Sequence, residues 1–348
     1  MSFARDSIAR ISGYVPGEQP VDKKLIKLNT NENPYPPTAK IGAVLRDFPY
    51  ERLRLYSEPS ARIVREAASA AYGIAVEQII CGNGSDDLLT IALRTFVDQG
   101  KTLAYTEPSY SLYPVLADIQ GATHRPVALD EHFELPENVV ELAGDAQLFM
   151  LARPNAPTGN SFPIAKVEKL CREFPGVVWI DEAYADFADD NCLGLVAKYA
   201  NVVVSRTLSK SYSLAGLRLG LAFAQLPLIQ EMEKVKDSYN VDMLTQFLGQ
   251  AALQEQAEML ANAERVKATR QKTAEKLEAL GCCVLPSQAN FLFIRPPRAA
   301  VELFAALREQ GYLVRHFNLP RVSEYIRVTI GREEDMAGFV DCMAKICR

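Results

Sequence analysis

The sequence predicts an α/β protein with a large domain around a mostly parallel seven-stranded sheet and a small α+β domain after it. Between residues 79 and about 225, short β-branched runs alternate with longer segments of helical period, which is the pattern of parallel strands joined by crossover helices. Beyond residue 280 the order becomes strand, helix, strand, strand, helix. A length of 348 residues leaves room for about two such units.

The first ~50 residues, rich in Pro and Asn (KLNTNENPYPPT), read as an extended arm over other structure, outside the core. Residues 51–245 form the large domain. Its strand candidates are VEQIICGN, KTLAYTEP, ATHRPVAL, AQLFMLARPN, GVVWIDEAY, NVVVSRTLSK and LRLGLAFA, with amphipathic helices such as DDLLTIALRTFV and IAKVEKLCREF between them. The last two runs share a short loop, which suits an antiparallel pair. From about 227 to 280, charged helical segments broken around Ser238 to Asp242 read as an interdomain helix, and residues 246–348 are assigned to the small domain. Its runs are CCVLPSQANFLFIRPP, AAVELFAALREQG, YLVRHF, EYIRVTIG and EEDMAGFVDCMAKIC.

Composition is that of an ordinary globular chain: 48% hydrophobic, 23% charged, with 38 basic against 43 acidic residues interspersed. No charge block suits a polyanion and no run reaches the ~20 apolar residues of a spanning helix, so neither nucleic acid nor membrane is expected as a partner. The seven cysteines are never spaced CxxC and the three histidines are scattered, which argues against a disulfide framework and a metal centre. The amino-terminal segment lacks a signal pattern. A reducing cytoplasm is the expected compartment.

Five constellations carry chemistry. Lys210, in VVVSRTLSKSYSLAGLRLG, follows an apolar run into a turn of small hydroxylated residues. Alone it reads as a solvated lysine; at the carboxyl edge of a parallel sheet it would be partly desolvated, with a depressed pKa suited to a Schiff-base nucleophile. Asp181 ends the apolar run of GVVWIDEAYADF, where a carboxylate is costly without a partner. A structural ion pair or helix cap would explain it equally. Taken with Lys210, it matches what pyridoxal phosphate (PLP) requires: an aldehyde-binding lysine and a carboxylate at the ring nitrogen. Tyr184, three residues on, is placed to bond the ring hydroxyl.

IICGNGSDDLLTIAL is a strand, a Gly-rich turn and a helix whose first N–H groups, at Gly84, Ser85 and Asp86, are expected to be free donors for a phosphate. Asp86 and Asp87 would repel that phosphate unless their side chains turn away. Thr207, Ser209 and Arg218 can complete the cup. The turn has neither GxGxxG nor GK[ST], which disfavours a dinucleotide fold and a P-loop. Tyr110 of EPSYSLYP can stack on a planar ring or simply pack in the core. Arg315 of YLVRHF and Arg327 of EYIRVTIG, if on neighbouring strands, make an anion clamp.

In this order, KLNTNENPYPP, CGNGSDD, EPSYSLYP, PNAPTG, DEAYADF, RTLSKSYSLAGLRLG, SQANFLFI and YIRVTIG resemble the fold-type-I PLP-dependent aminotransferases, and within them most nearly the histidinol-phosphate branch. The resemblance runs from about residue 10 to 335. It implies a PLP-dependent transferase of fold type I in which Lys210 carries the cofactor, with Asp181, Tyr184, Tyr110 and Arg218 at the matching cofactor positions. It implies that Arg327 binds the substrate's acidic group with Arg315 beside it, and that Tyr14 and Asn31 of the arm close over substrate. A homodimer follows, with Tyr56 reaching the partner's cofactor phosphate. The implied reaction is transamination between L-histidinol phosphate and 2-oxoglutarate, giving glutamate. Alternatives are an aromatic aminotransferase, a PLP-dependent decarboxylase of a phosphorylated amino acid, a nucleotide-binding oxidoreductase, or an inactive binding module. One departure stands out. Many relatives read NNPTG, with the asparagine before proline on the ring hydroxyl, whereas this chain has Ala156 preceded by Asn155, so either Asn155 takes that role or Tyr184 bears it alone.

Overall fold

The computed structural model describes residues 3–20 and 25–347. A two-residue strand β1 (Ile26–Lys27) comes first, and the seven expected runs then form β2 (Ile79–Gly82), β3 (Thr102–Glu107), β4 (Thr123–Ala128), β5 (Leu148–Ala152), β6 (Val177–Asp181), β7 (Val202–Thr207) and β8 (Gly220–Ala224). They make one sheet in the order β2-β8-β7-β6-β5-β3-β4. β8 alone runs against its neighbours, pairing antiparallel with both β7 and β2, while the other pairs are parallel. Residues 208–219, between β7 and β8, hold only a short 3-10 turn, too little for the crossover helix that parallel pairing needs.

Both faces of this sheet are covered, and alternate side chains divide between two cores. Val202, Val204, Val178 and Ile180 pack on one face, Val203 and Trp179 on the other. In the inner strands that is period-two burial with no solvent face, and it explains why they are apolar nearly throughout, whereas edge strand β4 (THRPVA) is largely exposed.

In chain order the helices are α1 (Asp6–Ala9), α2 (Ala39–Asp47), α3 (Arg62–Tyr72), α4 (Ser85–Phe96), α5 (Leu112–Gln120), α6 (Val139–Ala143), α7 (Ile164–Glu173), α8 (Leu193–Lys198) and α9 (Leu226–Val235). After them come α10 (Met243–Leu253), α11 (Gln256–Ala279), α12 (Ala300–Glu309) and α13 (Glu333–Ile346). α4, α5 and α9 cover the Trp179 face through Leu88, Leu116 and Met232. α3, α7, α8 and α10 cover the other through Val64, Leu170, Leu195 and Leu248. None of these helices is long and apolar enough to cross a membrane, among the described residues.

The remaining strands are β9 (Cys283–Val284), β10 (Phe291–Arg295), β11 (Tyr312–Leu313), β12 (Arg315–His316) and β13 (Ile326–Thr329). Four of them form an antiparallel sheet, β12-β13-β10-β9, over a core of Leu292, Ile294, Val328 and Phe339. This is the expected small α+β layer.

Two expectations change. The first 50 residues are not all arm: β1 pairs parallel with β11, Leu28 is buried in the small core, and α2 packs its Ile41 into the large one. Here an apolar LIKL run and the Thr38 cap, whose hydroxyl accepts from the Lys40 N–H, override the Pro and Asn composition. The seam placed at residue 245 falls inside α10, whose Leu248, Ala251 and Ala252 belong to the large core. α11 then starts in that core at Met259 and finishes in the small one at Leu277.

Candidate functional site

A cleft of about 660 Å³ lies between the carboxyl ends of β3, β5, β6 and β7 and the small sheet, roofed by residues of the amino-terminal segment. Asp181 is the last residue of β6 and Lys210 follows β7, so the topology itself sends both to this edge.

Asp181 is 6% exposed. The Tyr113 hydroxyl donates to its Oδ2 at 3.2 Å and the Ser205 hydroxyl to its Oδ1 at 3.4 Å, with Ser205 accepting from Trp179 Nε1 at 3.0 Å. Burial outweighs these donors and raises the carboxyl's pKa to about 6. Consequently, in the cofactor-free protein the folded state holds this proton between pH ~4 and ~6 while the unfolded state releases it. Stability should fall as pH rises through that window, by on the order of 3 kcal/mol. Urea midpoints at pH 4 and 7 should show the wild type losing ground to Asp181→Asn, and parallel behaviour would refute the assignment.

Lys210 Nζ is half-buried, donates to the Thr30 carbonyl at 3.1 Å and lies 5.8 Å from the Tyr184 ring centre. Burial first, then the nearby Arg327, lowers its pKa to about 8, although Glu32 and Asp86 pull the other way. A substantial share of the amine is therefore neutral near pH 8. Its backbone is pinned: Asn33 Nδ2 donates to the carbonyls of Lys210 and Ser211 at 3.1 Å each, and the Ser211 hydroxyl donates to Asp186, itself paired with Arg206 at 2.6 Å.

The Gly-rich turn delivers the start of α4 to the same edge. The Gly84 N–H bonds the Gly82 carbonyl at 2.8 Å, so Gly84 is not the free donor expected of it. Its contribution is shape: at φ +82, a Cβ there would sit 2.5 Å from Arg218 Nη2, and one on Gly220 would sit 2.7 Å from the Gly84 carbonyl carbon. The Ser85 and Asp86 N–H groups begin the helix without a capping side chain. Thr207 donates to Ser209 Oγ at 2.9 Å, and Arg218 Nη1 reaches Ser209 Oγ at 3.3 Å. Asp87 does turn away, accepting from the Asn83 N–H and Asn240. Asp86 does not: it accepts from the Tyr110 hydroxyl at 3.1 Å and lies 3.6 Å from Arg218, because a cation and a donor both face it.

Across the cleft, Arg315 and Arg327 are register partners on β12 and β13. Arg315 donates to the Val15 and Pro16 carbonyls at 3.3 Å, and Arg327 to the Asn29 carbonyl at 2.9 Å while lying 5.3 Å from the Phe291 ring centre. Among the described residues neither meets a carboxylate within ion-pair distance, and the Arg327 Nε is buried without a partner. Burial and Arg315 push the Arg327 pKa down. Tyr14 packs edge-on against Tyr110 at 5.8 Å, and Asn31 Nδ2 donates to the Tyr184 hydroxyl at 2.9 Å.

One expected residue is not brought to this cleft, and another was expected to serve the partner's. Asn155 is fully buried and spent within its own loop: Nδ2 donates to Pro108 O and Thr158 Oγ1, and Oδ1 accepts from Ser109. Ala156 lines the cleft instead, so the ring-hydroxyl role assigned to Asn155 falls. Tyr56 is 80% exposed and stacks on Tyr239 at 4.6 Å, away from its own chain's cleft. Sequence reasoning passed over Tyr113 and Ser205. A polar residue inside an apolar run must find a partner, and Ser205 in VVVSRT, opposite Asp181 in register, carried that signal.

Residues 23–342 match the family model for class I and II aminotransferases. The chain is 46% identical to a histidinol-phosphate aminotransferase of Synechocystis sp., over 97% of this chain and 96% of the relative. It is 43% identical to one of Chromohalobacter salexigens, over 99% of each. Its backbone superposes on the crystal structure of histidinol-phosphate aminotransferase from Sinorhizobium meliloti in complex with pyridoxal-5'-phosphate with a TM-score of 0.92, at 21% identity, covering 100% of this chain and 98% of that one. A lysine and a buried carboxylate brought to one sheet edge, together with the full-length match, lead to one conclusion: this chain belongs to the class I and II aminotransferases.

Proposed function

We propose that this chain is a histidinol-phosphate aminotransferase that moves an amino group between L-histidinol phosphate and 2-oxoglutarate with PLP as cofactor. The observation that carries the substrate class is the arginine pair, two guanidinium groups in register at the cleft with no carboxylate partner among the described residues. A phosphate monoester supplies the missing charge.

The residues present fit PLP, with one adjustment: the Asp86 carboxylate, which faces Tyr110 and Arg218, would have to swing aside to free Arg218 for a phosphate. Lys210 would hold its aldehyde, Asp181 its ring nitrogen, and Tyr110 and Tyr184 the ring's face and its phenolic oxygen. The Ser85 and Asp86 N–H groups with Thr207, Ser209 and Arg218 would take its phosphate, while Gly84 gives the turn its shape. When bound, the cofactor supplies the electron sink that lets a proton leave the amine-bearing carbon. Lys210 Nζ would take that proton from the substrate carbon and deliver it to the cofactor carbon that had carried the aldehyde oxygen, acting as base and then acid. Asp181 holds a proton at the ring nitrogen. Arg327 and Arg315 orient the substrate phosphate, and Arg327 serves the oxoacid carboxylate in the reverse half.

Tyr56 and its exposed neighbours Tyr50, Leu53 and Leu55 suit a face covered by a second copy, where Tyr56 would meet the partner's cofactor phosphate. On this reading the enzyme acts on small molecules as a homodimer in the cytoplasm.

Mixing PLP-loaded protein with histidinol phosphate, and separately with phenylalanine, tests the substrate through loss of the cofactor's absorbance. Faster conversion by histidinol phosphate supports this reading. Faster conversion by phenylalanine would make the protein an aromatic aminotransferase, since the same arginines accept a carboxylate.

A further inference from the structure

Tyr184 ends a chain of hydrogen bonds whose direction follows from the chemistry of its members. The Asn31 backbone N–H donates to Thr329 Oγ1 at 3.0 Å, and that hydroxyl donates onward to Asn31 Oδ1 at 3.1 Å. The amide oxygen is thereby committed to Thr329. Asn31 Nδ2 is then the end that meets Tyr184, 2.9 Å from its oxygen, and an amide nitrogen only donates. Tyr184 is the acceptor in this bond and keeps its own proton.

Among the described residues no acceptor sits on that proton, and Tyr184 lines the cleft beside Lys210. The chain is well protected, with Asn31 1% and Thr329 3% exposed, so bulk water does not compete to reverse it. Asn290 Nδ2 holds the Asn31 carbonyl at 2.9 Å, and Asn31 adopts φ +56, a left-handed conformation that asparagine tolerates. On the adjoining wall the loop carrying Asn155 and Ala156 lines the cleft with Pro154, Ala156 and Pro157, none of which has a side-chain donor, because the Asn155 amide is spent internally.

We infer that Thr329 and Asn31 are positioning residues that make Tyr184 a one-way hydrogen-bond donor to the phenolic oxygen of the cofactor. This rests on the PLP reading above. It also ties the small sheet to the cofactor, since Thr329 lies on β13 two residues beyond Arg327.

The test is the pH midpoint of the bound chromophore, followed by absorbance without substrate. A donor on the phenolic oxygen favours the deprotonated chromophore, so Tyr184→Phe should raise the midpoint by roughly one unit, about tenfold in proton affinity. Thr329→Val and Asn31→Ala should raise it in the same direction, Thr329→Ser should restore it, and Tyr184→Phe/Thr329→Val should match Tyr184→Phe alone. Loosened packing would lower the melting temperature without this dependence on Tyr184. An unchanged midpoint in Thr329→Val and Asn31→Ala, in Tyr184→Phe, or a fully additive double variant, overturns the relay. Failure of the PLP reading looks different: wild-type protein would then form no chromophore that Lys210→Ala removes.

Discussion

Lys210→Ala should lower turnover by roughly 10⁴-fold or more, the combined loss of the covalent anchor and of the proton carrier. The fold should survive. Among the described residues Lys210 Nζ makes a single hydrogen bond, to Thr30 O, and its burial already disfavours the charged form. Removing it takes away a costly group along with the reactive one. Single-turnover absorbance with histidinol phosphate, alongside thermal melting, checks both halves. Turnover within tenfold of wild type would remove this lysine from the chemistry.

Arg327→Leu should separate binding from stability in the opposite sense. The guanidinium is half-buried, with one carbonyl acceptor, an unbonded Nε and the like charge of Arg315 on the facing strand. In the ligand-free protein this is an unfavourable arrangement, which the anion of the proposed substrate would relieve. Truncating one partner of a buried charged contact costs about 2–5 kcal/mol of binding, so kcat/KM for histidinol phosphate should fall by roughly 30- to 4000-fold. The melting temperature of the ligand-free variant should stay level or rise. A large drop in stability with an unchanged KM would make Arg327 a structural residue.

Most of the sheet was legible because buried strands write themselves as apolar runs such as NVVVSRTLSK and GVVWIDEAY, and all seven candidate runs formed strands, including the exposed edge strand in ATHRPVAL. The edge of the sheet was legible for the same reason, since a strand's last residue fixes where Asp181 lies and its connection where Lys210 lies. Side-chain direction within loops was not. Asn155 and Ala156 are adjacent in sequence, yet only the loop's hydrogen bonds decide which one faces the cleft. Asp86 was misjudged because its partners Tyr110 and Arg218 come from distant segments. Likewise the LIKL run reads as coil amid prolines until β11 supplies its pairing partner.

The antiparallel return of β8 has a consequence for how such a protein can diversify. It makes residues 207–218 one continuous hairpin that holds Thr207, Ser209, Lys210 and Arg218 together, while Arg315 and Arg327 ride on a separate sheet. On the proposed reading the hairpin serves the cofactor's aldehyde and phosphate, and the arginines of the other sheet serve the substrate's anion. Substitutions on that sheet that keep the charge of Arg327, which after burial lowers the Lys210 pKa, could retune which acid is accepted and leave the hairpin's own contacts in place, so a change of substrate would require no reinvention of the reaction.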